Sequence, residues 1–125
     1  MSLLELTRKL MEECDASRNR FLKMRELGAT PNFFEEVKPY ADKIHQLLID
    51  WKELAIQWIE EHRPKYIHIQ QIQNVVESMD KFVVESFYKE TSKKRFFQSV
   101  HSVSFILSTL LRDLEEKNRE EENNH

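Results

Sequence analysis

Apolar residues return along this chain at three- and four-residue steps, in four long stretches broken by three prolines and a single glycine. That is the spacing of helices that each bury one face. From Ser2 to about Leu27, the stripe is Leu3, Leu6, Leu10, Cys14, Phe21 and Met24, with Leu4 and Met11 beside it. Ser17 takes an inward position midway, which leaves open either close approach of a neighbouring helix or room for a water. Gly28 then offers the left-handed conformation that ends a helix. Thr30-Pro31 reads as a new start, with Thr30 as cap and Pro31 in the first turn. A short helix over residues 30–38 is predicted to lid the bundle with Phe33 and Phe34. The second long helix then begins near Pro39, although one kinked helix has the same pattern. Its seam is Ile44, Leu48, Trp51, Ala55, Trp58 and His62, widened by Leu47, Leu54 and Ile59.

The firmest break is Arg63-Pro64-Lys65-Tyr66-Ile67-His68. Proline lacks an N–H and clashes with the preceding turn, so the helix through Trp58 and Ile59 stops at about Arg63. Tyr66 and Ile67 are expected to plug the bundle end while Arg63 and Lys65 stay in water. A third helix follows from about His68 to Lys89, with Ile69, Ile72, Val76, Met79, Val83 and Ser86 on its seam and Val75, Phe82 and Phe87 alongside. Thr91 and Ser92 offer caps for the fourth, whose Phe96, Val100, Val103, Leu107, Leu110 and Leu114 keep an unbroken four-three-four rhythm.

These elements predict an all-α fold: an antiparallel up-and-down four-helix bundle with a short extra helix between helices 1 and 2. Helices of about 22 to 26 residues span about 33 to 39 Å, and short connections make neighbours antiparallel. Residues 1–115 read as one bundle domain. Residues 116–125 read as an acidic tail with no apolar anchor, expected to fray. Alternating connections put the basic turn Lys93-Lys94-Arg95 and the basic turn around Arg63 and Lys65 at opposite ends. The tail therefore emerges near Arg63 and Lys65, where a loose electrostatic contact is expected.

Composition narrows the function classes. The chain has 125 residues and a net charge of -3, which gives no general attraction to nucleic acid or anionic lipid. Its one cysteine cannot form an internal disulfide, which fits a reducing cytoplasm. Met1 to Leu10 has neither the apolar core nor the cleavage site of a secretory signal. No apolar run approaches the about 20 residues needed to span a bilayer.

The chemistry expected of a four-helix bundle is a carboxylate-bridged di-iron site, which requires Glu-x-x-His motifs on facing helices. Asp42-Lys43-Ile44-His45 is the only internal approximation, and Glu122 to His125 lies in the tail. His62 and His68 flank the central turn as surface or capping residues. Cys14 lies on the helix-1 seam as a small hydrophobe, without the neighbouring base that a nucleophile requires. Ser99, Ser102, Ser104 and Ser108 lack a hydrolase elbow. The aromatics Phe33, Phe34, Trp51, Trp58, Phe82, Phe87, Phe96 and Phe105 read as core and lid packing. A groove for a partner helix would open if the Phe33/Phe34 segment moved aside. No catalytic residue, metal ligand or cofactor is assigned. The candidate partner surface is Arg63, Lys65, Tyr66 and His68 at one turn, with Lys93, Lys94 and Arg95 at the other.

Arg63-Pro64-Lys65-Tyr66-Ile67-His68, then Gln71-Ile72 and Lys93-Lys94-Arg95-Phe96, resemble the YppE-like family of small proteins from low-GC Gram-positive bacteria. Phe33-Phe34, Lys38-Pro39 and Trp51 fit the same pattern, and the match covers about Phe33 to Leu114. The resemblance implies an up-and-down four-helix bundle and no activity, since the family is one of unknown function. The expected role is a non-enzymatic cytoplasmic interaction module, partnered by another protein and itself a monomer or weak homodimer. The alternative is a small-ligand or metal-binding bundle, which would show a large polar cavity near Ser17, Ser86 and Ser104.

Overall fold

The computed structural model describes residues 1–123. Helix α1 is Leu3–Leu27, a π-helical turn covers Phe33–Val37, and α2 (Lys38–His62), α3 (Ile69–Glu85) and α4 (Lys93–Asn123) follow. There is no strand among the described residues. Local chemistry explains each boundary. Ser2 Oγ accepts the Glu5 N–H at 3.1 Å and opens α1. Gly28, at φ 63°, closes it by donating to the Met24 carbonyl at 3.0 Å. Helix α2 ends on Arg63, which holds φ 46° and donates to the Ile59 carbonyl at 2.8 Å. A left-handed residue with a side chain costs about 1 to 2 kcal/mol, and Pro64 leaves the helix no way to continue. The His68 N–H opens α3 by donating to Gln71 Oε1 at 2.8 Å. Ser92 Oγ opens α4 by accepting the Arg95 N–H at 3.4 Å.

Four expectations change. The segment after Pro31 is a π turn that runs straight into α2, capped by Asn32 Oδ1 on the Glu35 N–H at 3.0 Å rather than by Thr30. In a regular α turn the Pro39 ring would strike the Glu35 carbonyl, and the wider turn just upstream relieves that clash. Phe33 and Phe34 are therefore no lid: they are 44% and 77% exposed and pack edge-on against each other, while Val37 is fully buried. Helix α3 stops at Glu85 rather than Lys89, because Ser86 Oγ turns back to the Val83 carbonyl at 2.6 Å. Only Ile67 plugs the central turn, at 1% exposure, while Tyr66 stands out at 65%. Helix α4 continues past its last buried residue, Leu114, to Asn123. Extending a formed helix needs no new nucleus, and Glu, Lys and Arg are good helix formers. His125, and with it the tail's Glu-x-x-His spacing, lies outside the described residues.

Helix α1 packs on α2 and α4, and α3 packs on α2 and α4, the closed square of an up-and-down bundle. Its interior is aromatic at one level, where Phe21 stacks on Phe96 at 4.1 Å and Phe82 meets Phe96 edge-on at 6.0 Å. Nearer the other end, the buried Trp51 indole N–H donates to Thr7 Oγ1 at 3.0 Å, and Thr7 donates on to the Leu3 carbonyl at 2.7 Å. Side chains tie the ends together. Arg25 reaches the Thr91 carbonyl at 2.6 Å and Lys89 the Gly28 carbonyl at 3.1 Å, which joins the α1–α2 and α3–α4 connections. Arg8 and Glu115 meet at 3.4 Å at the end that holds the N-terminus and the central turn.

Candidate functional site

The central turn and the exposed side of α4 form two walls of a groove of about 300 Å³. Trp58, His62, Arg63, Lys65 and Tyr66 supply the turn wall; Asp113, Glu116, Lys117 and Glu120 supply the α4 wall. A second hollow of about 370 Å³ continues it through Tyr66, Asp113 and Glu116 to Phe105 and Arg112. The turn is held rigidly by the buried Ile67, by the fixed backbone of Pro64 and by Arg63's bond to Ile59. His62 stacks on Trp58 at 4.7 Å, and its Nδ1–H donates to the Trp58 carbonyl at 3.0 Å. Lys65 Nζ lies 5.4 Å from the centre of the Tyr66 ring. Arg63 and Lys65 face Glu116 and Glu120 across the groove, yet no ion pair within 4.0 Å joins them among the described residues. Partial burial, then the neighbouring Glu116 charge, raises the Asp113 carboxyl above its ordinary range.

Of the residues proposed from sequence, Arg63, Lys65 and Tyr66 line this groove. His68 does not; it caps α3. Lys93, Lys94 and Arg95 open α4 at the far end of the bundle. Sequence reasoning brought the acidic tail, with Glu116 and Glu120, to this end of the bundle but assigned none of the α4 wall to the site and missed Phe105, Arg112 and Asp113. Phe105 is the instructive case: counted with the core aromatics, it is 63% exposed. The signal was present, because Phe105 falls off the seam that runs Val100, Val103, Leu107.

Ser17 and Ser86 belong to a polar cluster built around Glu13 and Arg20. Glu13, only 5% exposed, accepts from Ser17 Oγ at 2.7 Å, from Arg20 Nη1 at 3.4 Å and from the Tyr40 hydroxyl. Arg20 also donates to Ser86 Oγ at 2.8 Å and lies between the Tyr40 and Phe87 rings, 4.4 and 4.6 Å from their centres. Burial and the Glu13 carboxylate together raise the Tyr40 phenol above its usual range. Among the described residues, no buried side-chain nitrogen or oxygen lacks a partner. Cys14 is buried, and that burial pushes its thiol up to about 11, so little thiolate forms near neutrality. Asp42 pairs with Lys38 at 2.7 Å, whereas His45 Nδ1 meets Asp80 on α3 at 2.9 Å, so the two residues of the internal Asp-x-x-His point to different partners.

The fold and groove define a small up-and-down helical bundle with a charged, aromatic-edged groove at one end. The chain belongs to the family described as a bacterial domain of unknown function (DUF1798), which matches residues 7–114. It is 31% identical over 106 residues to the uncharacterised protein YppE of Bacillus subtilis, covering 85% of this chain and 86% of YppE. The crystal structure of YppE superposes with a TM-score of 0.90 at 28% identity, covering 94% of this chain and 95% of YppE. A Listeria innocua protein of unknown function superposes with a TM-score of 0.87 at 27% identity, over 96% of this chain and 95% of that one.

Proposed function

We propose that this chain is a non-enzymatic cytoplasmic protein-interaction module whose contact surface is the groove at the central turn. The observation that carries this reading is the exposure of Tyr66 and Phe105, 65% and 63%, beside Arg112 on the edges of one hollow. Tyr and Arg are enriched among the residues that dominate binding energy at protein interfaces. Two supports come from elsewhere in the molecule. The buried groups that could act as base or nucleophile, Glu13 and Cys14, are respectively engaged by three hydrogen-bond donors and held as a thiol. No helix among the described residues is long and apolar enough to cross a membrane.

The test is affinity capture from an extract of the encoding bacterium, using the wild-type chain and an Arg63→Glu/Lys65→Glu variant with an unchanged melting temperature. A protein retained by the wild type, lost by the variant and bound again when purified is the expected result. Identical retention by both chains would reject the groove as the contact surface.

A further inference from the structure

We infer that the groove receives a second copy of this chain, in a two-fold symmetric dimer. The inference rests on the interaction reading above and names its partner. In a two-fold interface the same patch meets itself, so a patch of one charge sign repels its copy. This patch carries both signs, unevenly divided: the turn wall holds the cations Arg63 and Lys65, while the α4 wall holds the carboxylates Asp113, Glu116 and Glu120 with Lys117 and, further along, Arg112 among them, so that acid prevails there.

A two-fold axis lying along the groove places the turn wall of each copy against the α4 wall of the other. The cations of one copy then face the carboxylates of its partner, twice. The same operation sets Tyr66, on the turn wall, against Phe105, on the α4 wall, which gives two aromatic pairs between copies. Within one copy Arg63 and Lys65 make no ion pair with the α4 wall among the described residues, so the dimer breaks none of theirs, and only Glu120 is already paired, with Lys117 at 3.4 Å. The rigid turn lowers the ordering cost of association. The net charge of -3 per chain opposes it only weakly at physiological salt, where the screening length is about 8 Å. An exposed patch of this modest size corresponds to a weak dimer, with a Kd of about 10 to 100 µM.

Sedimentation velocity from about 10 µM to about 1 mM spans that range. The wild-type chain should pass from monomer to dimer. Arg63→Glu/Lys65→Glu and Glu116→Lys/Glu120→Lys should each self-associate at least about tenfold more weakly, because each sets like charges face to face. An equimolar mixture of the two variants should dimerise again, since the substituted positions of each variant then face opposite charges on the other. That recovery also shows both variants to be folded. Phe105→Ser, which alters no charge, should weaken the dimer by a similar factor. A wild-type chain monomeric at about 1 mM, or a mixture no more associated than its components, would overturn the inference. A monomer whose groove variant still loses a captured protein would leave the interaction reading standing and remove only the second copy as its partner.

Discussion

At the scale of single residues, Glu13 is the side chain whose surroundings are most demanding. A carboxylate at 5% exposure is stable only because Ser17, Arg20 and Tyr40 all donate to it. Arg20 in turn carries the contact to Ser86, the residue that ends α3, so one acid on α1 organises three helices. Glu13→Ala removes the acceptor and leaves Ser17, itself fully buried, and Arg20 without their partner. The expected cost is about 2 to 4 kcal/mol in chemical denaturation, because Ser17 is left buried without its acceptor and the partly buried Arg20 keeps only Ser86 and the two rings. Tyr40→Phe deletes one donor and leaves the acid its other two, so it should cost only about 0.5 to 1.5 kcal/mol. Equal and small losses for both variants would mean that the cluster is ordered without holding the helices together. None of this was legible in the sequence. The periodicity placed Ser17 inward but said nothing about Glu13, whose burial depends on donors 7 and 27 residues away.

At the scale of elements, legibility followed how completely a helix is surrounded. All six seam residues of α4, Phe96 through Leu114, are buried, and its start at Ser92 is where the capping pattern put it. In α2 the seam drifts. Trp58 is half-buried and His62 exposed, while Ile59 takes the inward place, since a 3.6-residue turn rotates away from a strict seven-residue repeat. The turn at Arg63 was readable from Pro64 alone. The π turn was not, because Asn32, Pro31 and Thr30 are all credible starts and the Asn32 cap on the Glu35 N–H shows only in the structure. These registers predict a contrast within α4. Leu107→Ala, at a fully buried position, should cost about 2 to 5 kcal/mol, whereas Phe105→Ala should cost under about 0.5 kcal/mol in dilute solution. Urea titrations of the two variants below the dimer range check it, and a larger loss for Phe105 would invert the register.

At the scale of the whole molecule, the groove belongs to no single element: it exists because alternating connections bring the α2–α3 turn to the end where α4 leaves the core. Sequence spacing alone placed the acidic C-terminus beside Arg63 and Lys65, but not the aromatic edge that Phe105 adds from the middle of α4. Since Glu116 and Glu120 share the groove with Arg63 and Lys65 without direct pairing, their attraction acts through water and is screened by salt. Deleting residues 116–125 should therefore destabilise the monomer by under about 1 kcal/mol at low ionic strength, and by less as salt rises. Self-association should respond far more, because the deletion removes two of the three carboxylates that would face the cations of a second copy. Thermal melts of the full and shortened chains across a salt series measure the first effect, and sedimentation of the same samples measures the second. A shortened chain that melts several degrees lower even at high salt would mean that the exposed end of α4 contributes packing to the bundle rather than charge to its groove.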